Sequence, residues 1–148
     1  MDHSRPVRRA ILTAMKATST ITALIPAGSI YPVTVPASRT FPFTRYGAPV
    51  ASPFRASGLN SSSLRPTIHA FTKPLYVGGA PTGALLASAE SQAEDMAAAI
   101  KEGLDGRVLL LENGMKATLT WLGSTCTPDP TEADAWHAIV NFGADVAG

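Results

Sequence analysis

The sequence is poor in cysteine, in charged residues and in long apolar runs, and each shortage excludes a class of protein. Cys126 is the one cysteine among 148 residues, so the chain has no internal disulfide and no pair of thiolates for a zinc site, and a reducing compartment is expected. No run of about 18 uncharged apolar residues is present, so no membrane partner is expected. Charged residues make up 16% and hydrophobic residues 45%, which favours a folded domain whose surface is partly covered by partners.

The glycine-rich stretch YVGGAPTGALL, residues 76–86, lacks the residues of a phosphate site. Gly78 and Gly83 keep the spacing of a phosphate-binding loop, but Ala84 and Leu85 stand where a lysine and a serine or threonine are required. The adjacent pair Gly78 and Gly79 also fails the dinucleotide-binding pattern. Nucleotide binding is therefore not expected, and the sequence predicts no cofactor.

The nucleophiles and metal ligands are too scattered to predict a reaction. His3, His69 and His137 have no metal-ligand spacing, and His69, in an apolar strand, is typical of a core or interface residue. Cys126 and His137 could meet across the last hairpin, but a lone cysteine beside threonines at a strand end is more often inert. We therefore expect neither a catalytic nor a metal site, and not an enzyme.

Charge is divided between the two halves of the chain. Residues 1–80 hold nine basic residues and one acidic residue, a net charge of +8, whereas residues 81–148 hold three and ten, a net charge of −7. The bases do not cluster beyond Arg8 and Arg9, so specific nucleic-acid binding is not favoured. Two interpretations stay open: a basic surface of one copy meets an acidic surface of the next, or the halves neutralise each other within one molecule.

The first half of the chain predicts a helix followed by proline-interrupted strands. Ser4 is the expected cap of a helix with Pro6 in its first turn. Its apolar stripe is Val7, Ile11, Ala14 and Met15. Prolines at 32, 36, 42, 49 and 53 favour edge strands or loops over residues 30–65, with a mobile loop at 57–63. Alternation over TIHAFT predicts a strand.

The second half predicts a long helix and an antiparallel meander. An apolar stripe places the helix at residues 85–104, with its cap within 82–88 and Gly103 and Gly106 as the stop. Asn113 and Gly114 predict a hairpin with a type I′ turn, and alternating strands follow it, with Trp121 and Trp136 facing inward. The fold class is therefore α+β: an antiparallel sheet with the long helix on one face plus the N-terminal helix.

The order of these elements resembles a known family. The N-terminal helix, ALIPAGSIYPVTVPASRTFPFTRY, the strand TIHAFTK, the alanine-rich helix, GRVLLLENGMKATLTWLG and the closing WHAIVNF follow one another as in the tail-completion, or tail-terminator, proteins of long-tailed bacteriophages and gene transfer agents. The resemblance runs from about residue 7 to residue 142 and implies one tail-terminator-like domain over 1–148. The segment 47–65 and the insertion PLYVGGAPTG depart from the usual pattern.

The resemblance implies a structural virion protein. Such proteins form a ring, usually six-fold, that caps the tail tube, stops its polymerisation and presents a surface to the head-tail connector. Expected partners are other copies of the chain, the tail tube protein and connector proteins, with DNA only as cargo in the lumen. The expected place is the head-proximal end of the tail, after assembly in the host cytoplasm. The alternatives are a head-tail adaptor or a soluble domain that binds a small molecule under the helix.

We also predict which residues lie at a subunit or tail-tube interface. The candidates are exposed bases of the first half and the glycines of the insertion: Arg39, Arg45, Arg55, Arg65, Lys73, Gly78, Gly79 and Gly83. Residues 77–83 are expected to form a flexible excursion that becomes ordered when a neighbouring subunit or the tail tube covers it.

Overall fold

The computed structural model describes residues 3–47, 50–53 and 62–148. The helices are α1 (Ser4–Ala17), α2 (Ser19–Thr22) and α3 (Ala89–Leu104). The strands are β1 (Ile30–Tyr31), β2 (Phe43–Tyr46), β3 (Val50–Pro53), β4 (Ser62–Arg65), β5 (Thr67–Thr72), β6 (Leu75–Tyr76), β7 (Leu85–Ala87), β8 (Val108–Leu110), β9 (Lys116–Pro128) and β10 (Trp136–Ala147). The predicted α+β class is confirmed. None of the described helices is long and apolar enough to span a membrane.

Strand β10 lies at the centre of the main sheet. On one side its first half pairs with β5 and its second half with β4, and on the other side β9 runs antiparallel along its whole length. Next to β5 and β4 lie β2 and β3, and β8 lies beyond β9. The proline-interrupted strands thus lie to one side of the sheet. Strand β1 pairs with β2 in parallel, so the prediction of a wholly antiparallel sheet needs correction at this edge.

Helices α1 and α3 pack on the same face of this sheet. The predicted stripe of α1 is buried, and α3 buries Met96 and Ile100 against the strands. Every second residue of β10 from Ala138 to Val146 faces these helices and is buried. Fully burying a side chain of this size contributes about 1.5–3 kcal/mol, so this face holds the hydrophobic core.

The long helix begins later than predicted. Ser88 is its N-cap, and the Ser88 hydroxyl accepts a hydrogen bond of 3.0 Å from the backbone N–H of Ser91. The prediction that the helix starts at Leu85 is wrong, because β7 is extended and pairs with β6. The end at Leu104 agrees with prediction, but Gly103 lies inside the helix, where its missing side chain leaves room for Ile21 of α2.

The helix cap and the hairpin turn also differ in detail from prediction. His3, not Ser4, is the N-cap of α1. The hairpin of β8 and β9 is present, but its turn is longer than a two-residue type I′ turn: the N–H of Leu111 donates to the carbonyl oxygen of Met115 over 2.8 Å. Gly114 has a positive φ of +81°, and Asn113 does not. The Asn113 side chain instead accepts a hydrogen bond from the backbone N–H of Met115.

Candidate assembly surfaces

The face of the sheet opposite α1 and α3, here called the open face, carries a row of stacked rings. Phe43 of β2 stacks on Phe71 of β5 with ring centroids 4.8 Å apart. Phe71 stacks on His137 of β10 at 4.4 Å, and His137 on His69 at 4.9 Å. The registers of β2 with β5 and of β5 with β10 place these four residues side by side. Cross-strand aromatic pairs stabilise a sheet, so the row also fixes its own geometry.

Two predicted interface residues lie on this row and a third lies beside it. The guanidinium of Arg39 is 5.5 Å from the centroid of Phe43, and that of Arg45 is 5.7 Å from Phe71. The ammonium of Lys73 lies 4.7 Å from the centroid of Phe41. Cations at these distances are attracted to the negative faces of the rings. Arg39, Arg45 and Lys73, which are far apart in the sequence, therefore form one basic, aromatic surface.

A cavity of about 290 Å³ opens beside this surface. Its walls are Val33, Val35, Arg39, Phe41, Phe43, Arg45, Phe71, Asp129, Thr131 and Glu132. Within the described ranges, neither Arg39 nor Arg45 forms a salt bridge. Burial opposes ionisation of Asp129, but hydrogen bonds from the backbone and hydroxyl of Thr131 hold its pKa below the usual value. The cavity is thus lined by two guanidiniums without a salt bridge in the described ranges and by the carboxylates of Asp129 and Glu132, an arrangement that suits a partner's polar side chains.

His69 and His137 form a hydrogen-bonded pair on the open face. His69 Nδ1 lies 2.7 Å from His137 Nε2. Burial, then the charges of Arg45 and His137, lowers the pKa of His69 to about 4. Burial and Arg45 also lower the pKa of His137, although Asp129 opposes this shift. Both rings are therefore neutral at pH 7, and one ring donates to the other.

This pairing was missed from the sequence, which shows the histidines only as scattered. Alternation places each at an outward position of its strand, but the register between β5 and β10 brings them together, and no short motif encodes that register. The pair has no third ligand: within the described part of the chain, no group of three or more His, Cys, Asp or Glu residues is placed to hold a metal ion.

Cys126 and His137 do not meet. Cys126 pairs with Ala138, whose side chain faces the helices, whereas His137 pairs with Thr127 and faces the open side. Burial, then the nearby carboxylates of Glu94 and Glu90, raises the pKa of the Cys126 thiol. The two side chains lie on opposite faces of the sheet, so the nucleophile–base pair considered from the sequence is excluded.

Strands β6 and β7 form a separate hairpin around the insertion. Gly78 and Gly79 have φ angles of +74° and +77°, which favour glycine, and a side chain at Gly83 would collide with the carbonyl oxygen of Val77. The N–H of Val77 donates to the carbonyl oxygen of Ala84 over 2.9 Å. Residues 77–83 therefore form a hydrogen-bonded turn, and the glycines meet the steric demands of that turn. The predicted flexibility of this excursion in the free chain stays a prediction.

The comparisons with known proteins agree with the resemblance seen in the sequence. Residues 9–146 match the family described as tail completion protein gp17. The chain belongs to this family. Tail completion proteins are structural components of virions, and the chain is accordingly a virion protein that takes part in tail assembly.

Two solved structures share the fold of this tail completion protein at low sequence identity. One is a chain of the structure described as "Virion of native gene transfer agent (GTA) particle", with a TM-score of 0.78, 18% identity and coverage of 97% of this chain and 96% of that chain. The other is the "Structure of bacteriophage SPP1 gp17 protein", with a TM-score of 0.53, 13% identity and coverage of 95% and 88%. A search of curated proteins gives no significant match.

Two further arginines belong to the predicted interface residues of the tail completion protein. Arg65 is exposed on β4, whereas Arg55 falls outside the described residues. Most of the predicted mobile loop at 57–63 also falls outside them, and residues 62 and 63 belong to β4.

The charge asymmetry is compensated only in part within the molecule. Arg9 pairs with Glu112 at 2.9 Å, and Lys73 with Glu132 at 2.6 Å. Each pair joins the basic and the acidic part of the sequence. These two are the salt bridges of the described ranges.

Proposed function

We propose that six copies of this tail completion protein form a ring that closes the end of the tail tube, terminates tube polymerisation and forms the joining surface for the head.

 Support comes from the family match over residues 9–146 and from the overlap in fold with a chain of a gene transfer agent virion. A ring whose lower face resembles a tube layer adds as the last layer. Because its upper face differs, it recruits no further tube subunit and is free to bind a head-tail connector, while DNA passes through the lumen as cargo.

The open face supplies the contact chemistry in this proposal. Arg39, Arg45 and Lys73 present cations above aromatic rings, and aromatic and arginine side chains are the residues that contribute most at protein interfaces. The two guanidiniums have no salt-bridge partner within the described ranges. Carboxylates of a neighbouring subunit or of the tail tube protein would therefore form salt bridges with them. The cavity beside them provides a recess for such side chains.

Loss of the gene tests the terminator role. We expect particles without the protein to show overlong tails without heads, as judged by electron microscopy of lysates. Filled heads without tails, beside free tails of normal length, would instead favour a head-tail adaptor. In a second measurement, native mass spectrometry and negative-stain imaging of the purified protein should detect rings, alone or with tail tubes. A protein that stays monomeric in the presence of tubes would refute the ring.

Charge reversal tests the role of the open face. Replacing both arginines, Arg39→Glu and Arg45→Glu, should weaken association at low salt, because exposed charges act most strongly when they are little screened. The matched control, Arg39→Lys together with Arg45→Lys, keeps both charges and should retain most of the association. Sedimentation or mass photometry at low and high salt measures the difference. Equal association of the charge-reversed and wild-type chains at low salt would show that the open face is not part of the interface.

A further inference from the structure

Strand β8 and helix α1 border an apolar groove at one edge of the sheet. β8 pairs with β9 on one side, and within the described residues no strand pairs with its other side. Val108 is 59% exposed and Leu110 71% exposed. The groove between β8 and α1 has a volume of about 560 Å³. Ala10 and Leu110 line its apolar part, and Arg9, Arg107 and Glu112 also line it. Proteins seldom leave an apolar edge strand open, because its unpaired backbone groups attract other chains.

The hairpin of β6 and β7 carries a second exposed apolar patch. The exposed fractions are 51% for Leu75, 52% for Val77, 57% for Leu85 and 63% for Leu86. The two strands pair only with each other, and a lone two-stranded hairpin has marginal stability in water. A partner that buries these four side chains would therefore stabilise the hairpin as well as the complex.

The two patches lie at opposite ends of β10 and cannot meet within one molecule. β6 begins three residues after Thr72, which pairs with Trp136 at the start of β10. Val108 pairs with Thr118, which pairs with Asp145 near the end of β10. Nine residues of strand separate these positions, a distance of about 30 Å. A contact between the patches must therefore join two copies, head to tail.

The charges beside the two patches are complementary. Helix α1 borders the groove and carries four bases, Arg5, Arg8, Arg9 and Lys16, with no acidic residue. Arg9 pairs with Glu112 at the groove, so Arg5, Arg8 and Lys16 are the bases of α1 that form no salt bridge within the described ranges. Helix α3 begins directly after the hairpin and carries the exposed Glu90, Glu94 and Asp95, none of which forms a salt bridge within the described ranges. A contact that brings a hairpin to a groove also brings the acidic start of α3 toward the basic α1 of the next copy, which favours this pairing over like-to-like contact.

We propose that the β6–β7 hairpin of one copy docks into the α1–β8 groove of the next copy and that this contact builds the ring. The inference rests on the proposed ring and names the contact within it. Repetition of one head-to-tail contact closes a ring when the rotation between copies closes. The occupant of the groove is thus a second copy of this chain, held by apolar burial at the centre and by opposite charges around it.

Two single variants and their mixture test this contact. Leu110→Asp damages the groove and leaves the hairpin intact, whereas Leu86→Asp damages the hairpin and leaves the groove intact. Each variant alone should raise the concentration needed for assembly about 30-fold or more, as for a residue central to an interface. The equimolar mixture should form one-to-one dimers and nothing larger, because it holds one intact groove and one intact hairpin for each pair. Native mass spectrometry counts the subunits directly.

The control is Leu24→Asp, at a residue that is 40% exposed, follows α2 and lies outside both patches. It should assemble like the wild-type chain, and circular dichroism should show that all three variants are folded. Rings formed by either damaged variant alone would overturn the hairpin–groove contact, and so would a mixture that stays monomeric while the wild type forms rings. Neither result would contradict the proposed ring itself. A wild-type chain that stays monomeric at all concentrations, with and without tail tubes, would overturn the ring together with the contact.

Discussion

The two faces of the central sheet are built from the same strands but carry different chemistry. On the covered face, Ala138, Val140 and Phe142 of β10 are completely or almost completely buried under the helices. On the open face, the alternate residues His137 and Ile139 are only half-buried and lie among rings and cations. The covered face therefore determines whether the chain folds, whereas side chains of the open face can contact partners. Substitutions on the two faces should separate stability from assembly.

The largest expected effect is on the covered face. Phe142→Ala removes a side chain that is 1% exposed and leaves a cavity against α3, so the free energy of unfolding should fall by about 3–5 kcal/mol. Ile139→Ala, three residues earlier on the open face, should cost less, about 1 kcal/mol, because its side chain already contacts water. Urea denaturation followed by circular dichroism measures both. Equal losses at the two positions would contradict the division of the sheet into a core face and a partner face.

The same division explains how much of the structure the sequence predicts. Hydrophobic alternation over β5, β9 and β10 and the stripe of α1 identify the covered face, because burial acts on each residue independently of its distant partners. The prediction failed at Leu85, where an apolar residue at helical spacing belongs to a strand, because Ser88 caps the helix and β7 pairs with β6. The predicted cap range of 82–88 contains Ser88, but apolar spacing alone did not show which residue of that range caps the helix.

The open face depends on pairing between distant segments and was therefore largely missed. Arg39, Arg45 and Lys73 were predicted as interface candidates from charge alone, without the rings beneath them. Phe71 and His137 become neighbours because β5 and β10 pair in one particular register, and register is set by the whole sheet, not by a local motif. The order of elements predicted the family of the protein, whereas catalytic or metal-ligand motifs gave no indication of its function.

A smaller effect is expected from acid, and it arises on the open face. His69 has a pKa of about 4 in the folded chain, against 6.5 without its surroundings. Between these values the unfolded chain binds a proton that the folded chain does not, so stability rises with pH from about 4 to 6.5 and is fully present above that window. Since the ring is half-exposed, the loss on acidification should be on the order of 1 kcal/mol after solvent screening. Thermal melts across this pH range measure it.

His69→Gln supplies the comparison for the acid effect. The variant has no titrating group at this position, so its stability should vary less between pH 6.5 and pH 4.5 than that of the wild type. His137→Gln should likewise reduce the change of stability with pH, because burial lowers the pKa of His137 too. A variant with the same slope as the wild type would show that other groups cause the pH dependence.

The smallest effect on stability is expected at the salt bridge of the open face. Lys73 Nζ lies 2.6 Å from Glu132 Oε1, but the two side chains are 38% and 39% exposed. Solvent screens such a pair, so a double-mutant cycle with Lys73→Ala and Glu132→Ala should give a coupling of less than about 1 kcal/mol. Lys73→Ala should nevertheless weaken association, because it removes a cation above Phe41 from the partner face. A strong loss of stability with unchanged association would instead show that Lys73 acts in folding. The open face would then not be devoted to association and the covered face not to stability.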